Sequence, residues 1–282
     1  RGGGTMANKK RAFVSDIHFG GEYRPAEHGG CNWNWLGDKE SKDFGMFLKF
    51  VRESGAYEEL VILGDLFDDW VWPIDLVPPT FDEIVAAPQN REAIQELKAL
   101  CQTPGIRVVY LPGNHDMSAT QAFVDKHFPG MVFGGRSHND SVYRTSRLLA
   151  EHGSAHAMFN APDPFNNPGS RLPLGYFISR VVATTKHRTG SSSRHYGAYV
   201  DDLFESLGPQ TIAASVFEAL LEEARLPQSV PIKIRLADNS ISSVTGDEVK
   251  AKYACLFDQW CQARGMGRAL LAVMAEFGHL GR

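Results

Sequence analysis

The chain has 282 residues, 43% hydrophobic and 22% charged, enough for one large domain or a core carrying a substantial insertion. A formal net charge of −4 provides no global attraction for nucleic acid or an anionic membrane, which leaves only local basic clefts for such partners. Cys31, Cys101, Cys255 and Cys261 are scattered and form no CxxC pair, so a disulfide framework is not expected and a reducing compartment is.

Residues 1–11 read as a tag remnant and leader. Arg1 to Thr5 lacks an apolar signal core, and Met6 is the expected native start. No apolar stretch has the length of a bilayer span, so a cytoplasmic address is expected.

The first predicted strand is Ala12-Phe13-Val14, followed by the polar cluster Asp16-Ile17-His18. Lys42 to Ser54 has helical spacing through Phe44, Phe47, Leu48 and Val51. A second strand, Leu60 to Leu63, runs into Gly64-Asp65-Leu66-Phe67-Asp68. Trp70 to Pro79 is rich in Trp and Pro and predicts an irregular loop. Asn90 to Cys101 is a helix through Ile94, Leu97 and Leu100, and strand Val108 to Leu111 leads to Gly113-Asn114-His115-Asp116. Leu148-Leu149-Ala150 then enters the turn Glu151-His152-Gly153.

Beyond this alternation of strand and helix the character changes. Asn160 to Pro173 is dense in Pro and Asn, and Gly190 to Arg194 is a Gly/Ser stretch. Two amphipathic helical regions follow, from about Tyr199 to Arg225 and from Asp247 to Glu276, separated by a β-like run from Val230 to Leu236. The expected organisation is a core over residues 12–160 and a mainly helical insertion or cap over 161–282. No internal repeat is present.

Taken singly, each polar cluster has an ordinary explanation. Asp-x-His is commonly a turn with a solvated imidazole, Gly-Asp a helix N-cap, and Asn-His-Asp an Asx turn. In series, each behind a strand, they sit where an open α/β sheet places its site residues. Together they supply carboxylates, imidazoles and an amide oxygen, a donor set for two hard or borderline divalent ions.

The order D-x-H, G-D-x-x-D, G-N-H-D resembles the calcineurin-like metallophosphoesterase family. That resemblance implies an α/β fold, a four-layer αββα sandwich with a mainly helical C-terminal insertion, incomplete at its end. It further implies two divalent ions (Mn, Fe, Zn or Ni), a bridging hydroxide nucleophile and a phosphate mono- or diester substrate. Asp16 and His18 would hold the first ion, Asp65 would bridge, and Asn114 and His152 would hold the second. Two ions about 3.5–4 Å apart activate a shared water and clamp a phosphate. His115 would protonate the leaving group, Asp116 would orient that ring, and Asp68 would orient a ligand histidine from behind.

The family's closing G-H-x-H is not found in full. Gly278-His279-Leu280-Gly281 has the first His only and follows a predicted helix, Ala269 to Phe277, with Gly278 as its terminal glycine. His279 is thus a weak candidate ligand. The absence predicts weaker metal occupancy and impaired activity, and an unfinished sheet edge that favours a homodimer.

Gly64 to Trp70 is also similar to the UDP-2,3-diacylglucosamine pyrophosphatases, whose inserted helices form a lid for acyl chains. The third cluster departs from them, with His115 where they carry Arg. This leaves a lipid-precursor hydrolase, a nuclease and a non-catalytic scaffold as alternatives to a general phosphoesterase. Trp33, Trp35, Trp70 and Trp72 lie in loops beside the first two clusters; His138, His187 and His195 are expected to be solvated, and His156 is either a substrate contact or an exposed residue.

Overall fold

The computed structural model describes residues 9–134, 141–163, 166–167, 171–190, 212–236 and 238–263. They fall into two compact units, one of residues 1–72 and 78–155, the other of residues 73–77 and 156–282.

In the first unit the strands are β1 (Lys10–Val14), β2 (Tyr57–Leu63), β3 (Arg107–Leu111) and β4 (Val132–Phe133). They form one sheet in the order β1-β2-β3-β4, every pair parallel. Parallel pairing requires crossovers, supplied by α2 (Asp38–Glu53), α3 (Phe81–Ala86), α4 (Arg91–Cys101) and α5 (Gln121–His127), while a short α1 (Pro25–His28) precedes them.

Side chains alternate across the sheet, and the two faces have separate partners. Leu60 and Ile62 of β2 and Val108 and Tyr110 of β3 pack against Leu48 and Val51 of α2, Ile94, Leu97 and Leu100 of α4, and Val124 of α5. Val61, Val109 and Leu111 face the other way, onto Tyr143 and Ala150. Those two residues belong to an antiparallel hairpin of β5 (Val142–Arg144) and β6 (Leu149–Glu151). Both faces of β2 and β3 are therefore buried, which explains their unbroken apolar sequences. The mixed α/β fold with its parallel four-stranded sheet is the one the cluster order implies.

The second unit contains α6 (Leu174–Thr189), α7 (Ile212–Glu223), the antiparallel hairpin β7 (Pro231–Arg235) and β8 (Ile241–Thr245), then α8 (Gly246–Tyr253) and α9 (Leu256–Ala263). Sequence reading leaves α6 unassigned. It begins after Pro173 and ends on Gly190 at φ 71°. Burial around much of its circumference, from Leu174 to Thr184, removes the one-sided stripe that periodicity detects.

Arg180 of α6 is fully buried. It donates to the Tyr176 hydroxyl and to the carbonyls of Lys233, Pro73 and Leu76. Four oxygens compensate the desolvation of its charge and tie residues 73–77 to this unit. The predicted strand at Val230–Leu236 is β7, whereas its partner β8 has no counterpart in the sequence reading. Of the two predicted helical regions, residues 199–211 and 264–276 lie outside the described residues.

Candidate metal centre

Four strand ends in the first unit carry the site. Asp16 and His18 follow β1, Asp65 and Asp68 follow β2, Asn114 and His115 follow β3, and His152 follows β6. The first two loops stay paired beyond their strands. The Asp16 N–H donates to Gly64 O at 3.2 Å and the His18 N–H to Asp65 O at 2.9 Å. This pairing puts Asp16, His18 and Asp65 at φ 56°, 56° and 53°, in the left-handed region. Such a conformation costs about 1–3 kcal/mol at each non-glycine residue and persists only where surrounding bonds enforce it.

Asp116 supplies much of that enforcement. Its fully buried carboxylate accepts the backbone N–H groups of Asp65, Leu66, Phe67 and Gly113 and the Tyr110 hydroxyl at 2.6 Å. Burial and the charge of Asp65 push it up to about 6, against the lowering effect of its donors. Asp116 therefore stitches the second and third loops together. It does not orient His115, as the sequence reading had it: the His115 Nδ1 is 3.0 Å from Asp68 Oδ1.

Asp68 serves two rings at once, because its other oxygen is 2.9 Å from the His18 Nδ1. Burial opposes its ionisation, but the charge and hydrogen bond of His115 and the bond to His18 hold it far below the usual carboxylate range. In return Asp68 outweighs the burial of His115 and pushes that imidazole up to about 9. His152 is fixed differently, its Nδ1 donating to the Leu63 carbonyl at 2.8 Å.

With their Nδ1 atoms engaged, His18 and His152 turn Nε2 toward a common centre, Asp65. Its Oδ1 accepts the His115 backbone N–H at 2.9 Å. Its Oδ2 lies 3.2 Å from His152 Nε2 and 3.8 Å from His18 Nε2. Burial would raise Asp65, yet the His152 hydrogen bond and the charges of His115, His152 and His18 bring it below its ordinary value. Asn114 Oδ1 is 3.0 Å from His152 Nε2. Asp16 is the exposed member, with Oδ1 3.9 Å from His18 Nε2.

The motif glycines make room for this packing. A Cβ on Gly64, at φ 82°, would stand 2.7 Å from both Gly113 Cα and His152 Cγ; one on Gly113 would stand 2.3 Å from Asp65 Oδ1. Neither position admits a side chain while His152 lies between the loops.

Two donor groups result, His18-Asp65-His115 and Asp16-Asp65-His152, each with donor atoms within 4.8 Å of one another. Asp65 belongs to both. A buried carboxylate, Asp65, and an exposed one, Asp16, beside imidazoles whose rear nitrogens are tied to a carboxylate or carbonyl fit divalent ions.

A family model described as "Calcineurin-like phosphoesterase" matches residues 9–250. The chain belongs to the calcineurin-like phosphoesterase family. The chain is also 33% identical over 120 residues to a UDP-2,3-diacylglucosamine hydrolase of Hamiltonella defensa subsp. Acyrthosiphon pisum (strain 5AT). That alignment covers 43% of the chain and spans about a third, 36%, of the relative's length.

The candidates Asp16, His18, Asp65, Asp68, Asn114, His115, Asp116 and His152 thus converge. His156 is exposed, and His187 lies on α6 in the second unit. His138, His195 and His279 lie outside the described residues. Sequence reading did not distinguish the tryptophans. Trp33 and Trp72 pack on each other with ring centroids 4.7 Å apart. Trp35 stands edge-on to His18 at 4.8 Å, and Trp70 stacks on His115. The Gly64–Trp70 resemblance was the only sequence signal for the last contact. Among the described residues, no helix is long and apolar enough to cross a membrane.

Proposed function

We propose that this phosphoesterase hydrolyses phosphate mono- or diesters of small molecules at a dinuclear site. The observation that carries the reading is the position of Asp65 Oδ2 between two imidazoles, 3.8 Å from His18 Nε2 and 3.2 Å from His152 Nε2. Asp16, His18 and Asp65 would hold one divalent ion, and Asp65, Asn114 and His152 would hold the other. Bound there, two such ions activate water and neutralise charge on the phosphate.

The remaining work falls to the chain's own residues. Asp68 fixes the His18 and His115 rings through their Nδ1 atoms. His115, its Nδ1 held by that carboxylate, hands a proton from Nε2 to the leaving-group oxygen as the phosphorus–oxygen bond breaks. Asp116 is assigned a structural part, holding the loops that carry Asp65 and His115.

A lipid-precursor hydrolase is the second reading, favoured by the diacylglucosamine hydrolase match. His115, in the position where those enzymes carry Arg, places a general phosphoesterase ahead of it.

The test combines metal analysis with hydrolysis of p-nitrophenyl phosphate and bis-p-nitrophenyl phosphate, in Mn, Fe, Zn or Ni. Metal-stimulated turnover that falls about 10²–10⁴-fold in His115→Ala is the expected result. Protein that stays inert with every ion would instead be a scaffold. Turnover of polynucleotide with strong salt dependence would make it a nuclease.

A further inference from the structure

We propose that Trp70 is a positioning residue for His115, its indole acting as a back wall that fixes the tilt of the imidazole. The inference rests on the leaving-group role given to His115 above. Trp70 is 1% exposed, and its ring lies 4.4 Å from that of His115 at an interplanar angle of 27°, a stacked arrangement.

The two rings also share one anchor. Asp68 Oδ1 accepts the backbone N–H groups of Trp70 and Val71, each at 2.9 Å, and lies 3.0 Å from His115 Nδ1. The turn that presents the indole is therefore built on the same oxygen that holds the imidazole. A single hydrogen bond at Nδ1 fixes one atom of the ring and leaves it free to rock about that contact. An aromatic face against one side removes this motion. His18 meets the ring edge-on at 4.6 Å and 89°, closing a second direction. Trp35 lies on the ring as well, tilted at 5.7 Å and 43°, so the Asp68 bond and these ring contacts together aim Nε2.

Aim matters because proton transfer depends on placement. A displacement of about 1 Å costs about 100-fold in rate. The loss should also depend on the leaving group, since a poor one needs the proton and a good one does not.

The test compares Trp70→Leu, which removes the face, with Trp70→Phe, which keeps one. Manganese-loaded protein is assayed on an alkyl phosphate, phenyl phosphate and 2,4-dinitrophenyl phosphate. For Trp70→Leu we expect kcat on the alkyl ester to fall about 10–100-fold with KM within about twofold, the loss shrinking as the leaving group becomes more acidic. In a His115→Ala background Trp70→Leu should then cost nothing more, and Trp70→Phe should retain most of the rate. An equal loss on all three esters would overturn the proposal.

Independently of turnover, the Cε1–H resonance of His115, followed in isotope-labelled metal-free protein, should sit upfield under the indole and move and broaden in Trp70→Leu. A resonance that does not move would overturn the proposal whatever the kinetics. If the wild-type protein hydrolyses no ester while the resonance behaves as expected, the phosphoesterase reading fails and the positioning contact stands.

Discussion

Asp68 and Asp116 show how position, not residue type, assigns work to a carboxylate. Both are buried, and both lie within the motifs that order the site. Asp116 spends its oxygens on backbone N–H groups and a tyrosine hydroxyl, whereas Asp68 gives one oxygen to each of two imidazoles. Sequence adjacency suggested that Asp116 orients His115. The Asp116 carboxylate is instead taken up by the backbone N–H groups of Gly113 and Leu66, and Asp68, 47 residues from His115, makes that contact. Asp68→Asn keeps the shape but leaves one oxygen for two rings and removes the charge. Loss of such a supporting partner typically costs about 10–100-fold in metal affinity or activity. Asp68→Asn should therefore lower both manganese affinity, measured by titration calorimetry, and kcat. A variant that lost kcat alone would mean that His18 is not a ligand.

Elements were legible where one face only is buried. The α4 pattern of Ile94, Leu97 and Leu100 is visible in the sequence, and all three residues sit in the core against β2 and β3. Leu97 is fully buried, so Leu97→Ala should cost about 2–5 kcal/mol, measured by urea unfolding, with the slope unchanged. In α6 burial on several sides hid the helix, and in α3 and α5 brevity did: neither spans two full turns of pattern. Those two short helices are tied by Asp82 of α3, which accepts from Lys126 and pairs with His127 of α5. Hydrogen bonds from Lys126 and then His127 hold the Asp82 carboxyl below its ordinary 3.8. A carboxylate depressed in the folded state stabilises above its unfolded value, and that stabilisation is lost as pH falls through the lower, folded one. The pair is half-exposed, which limits its worth to about 0–1 kcal/mol. Asp82→Asn should then destabilise by up to about 1 kcal/mol at neutral pH, and by progressively less as the pH is lowered below 3.8. An equal effect at every pH would assign the loss to packing.

At the scale of the whole molecule, the division of the chain has a consequence for how an ion would stabilise it. The sequence located every proposed donor among the described residues because each follows an apolar strand. It did not reveal that residues 73–77, within the Trp-Pro loop, join the second unit through Arg180 and Thr184. Long-range backbone contacts of this kind leave no periodic signal. Asp16, His18, Asp65, Asn114 and His152 all lie in the first unit, on loops that hold three residues in left-handed conformations. An ion that binds only the folded form stabilises it by about 2.7 kcal/mol at a hundred times its dissociation constant. That free energy enters through the ends of β1, β2, β3 and β6. Manganese should therefore slow hydrogen exchange most at amides 60–67 and 108–116, and leave α7 and the β7–β8 hairpin little changed. Asp65→Asn, which removes the charge of the shared donor, should abolish the manganese effect while the core amides stay protected. Uniform protection across both units would show instead that they open as one, and slowing confined to the second unit would mean that the ion binds elsewhere.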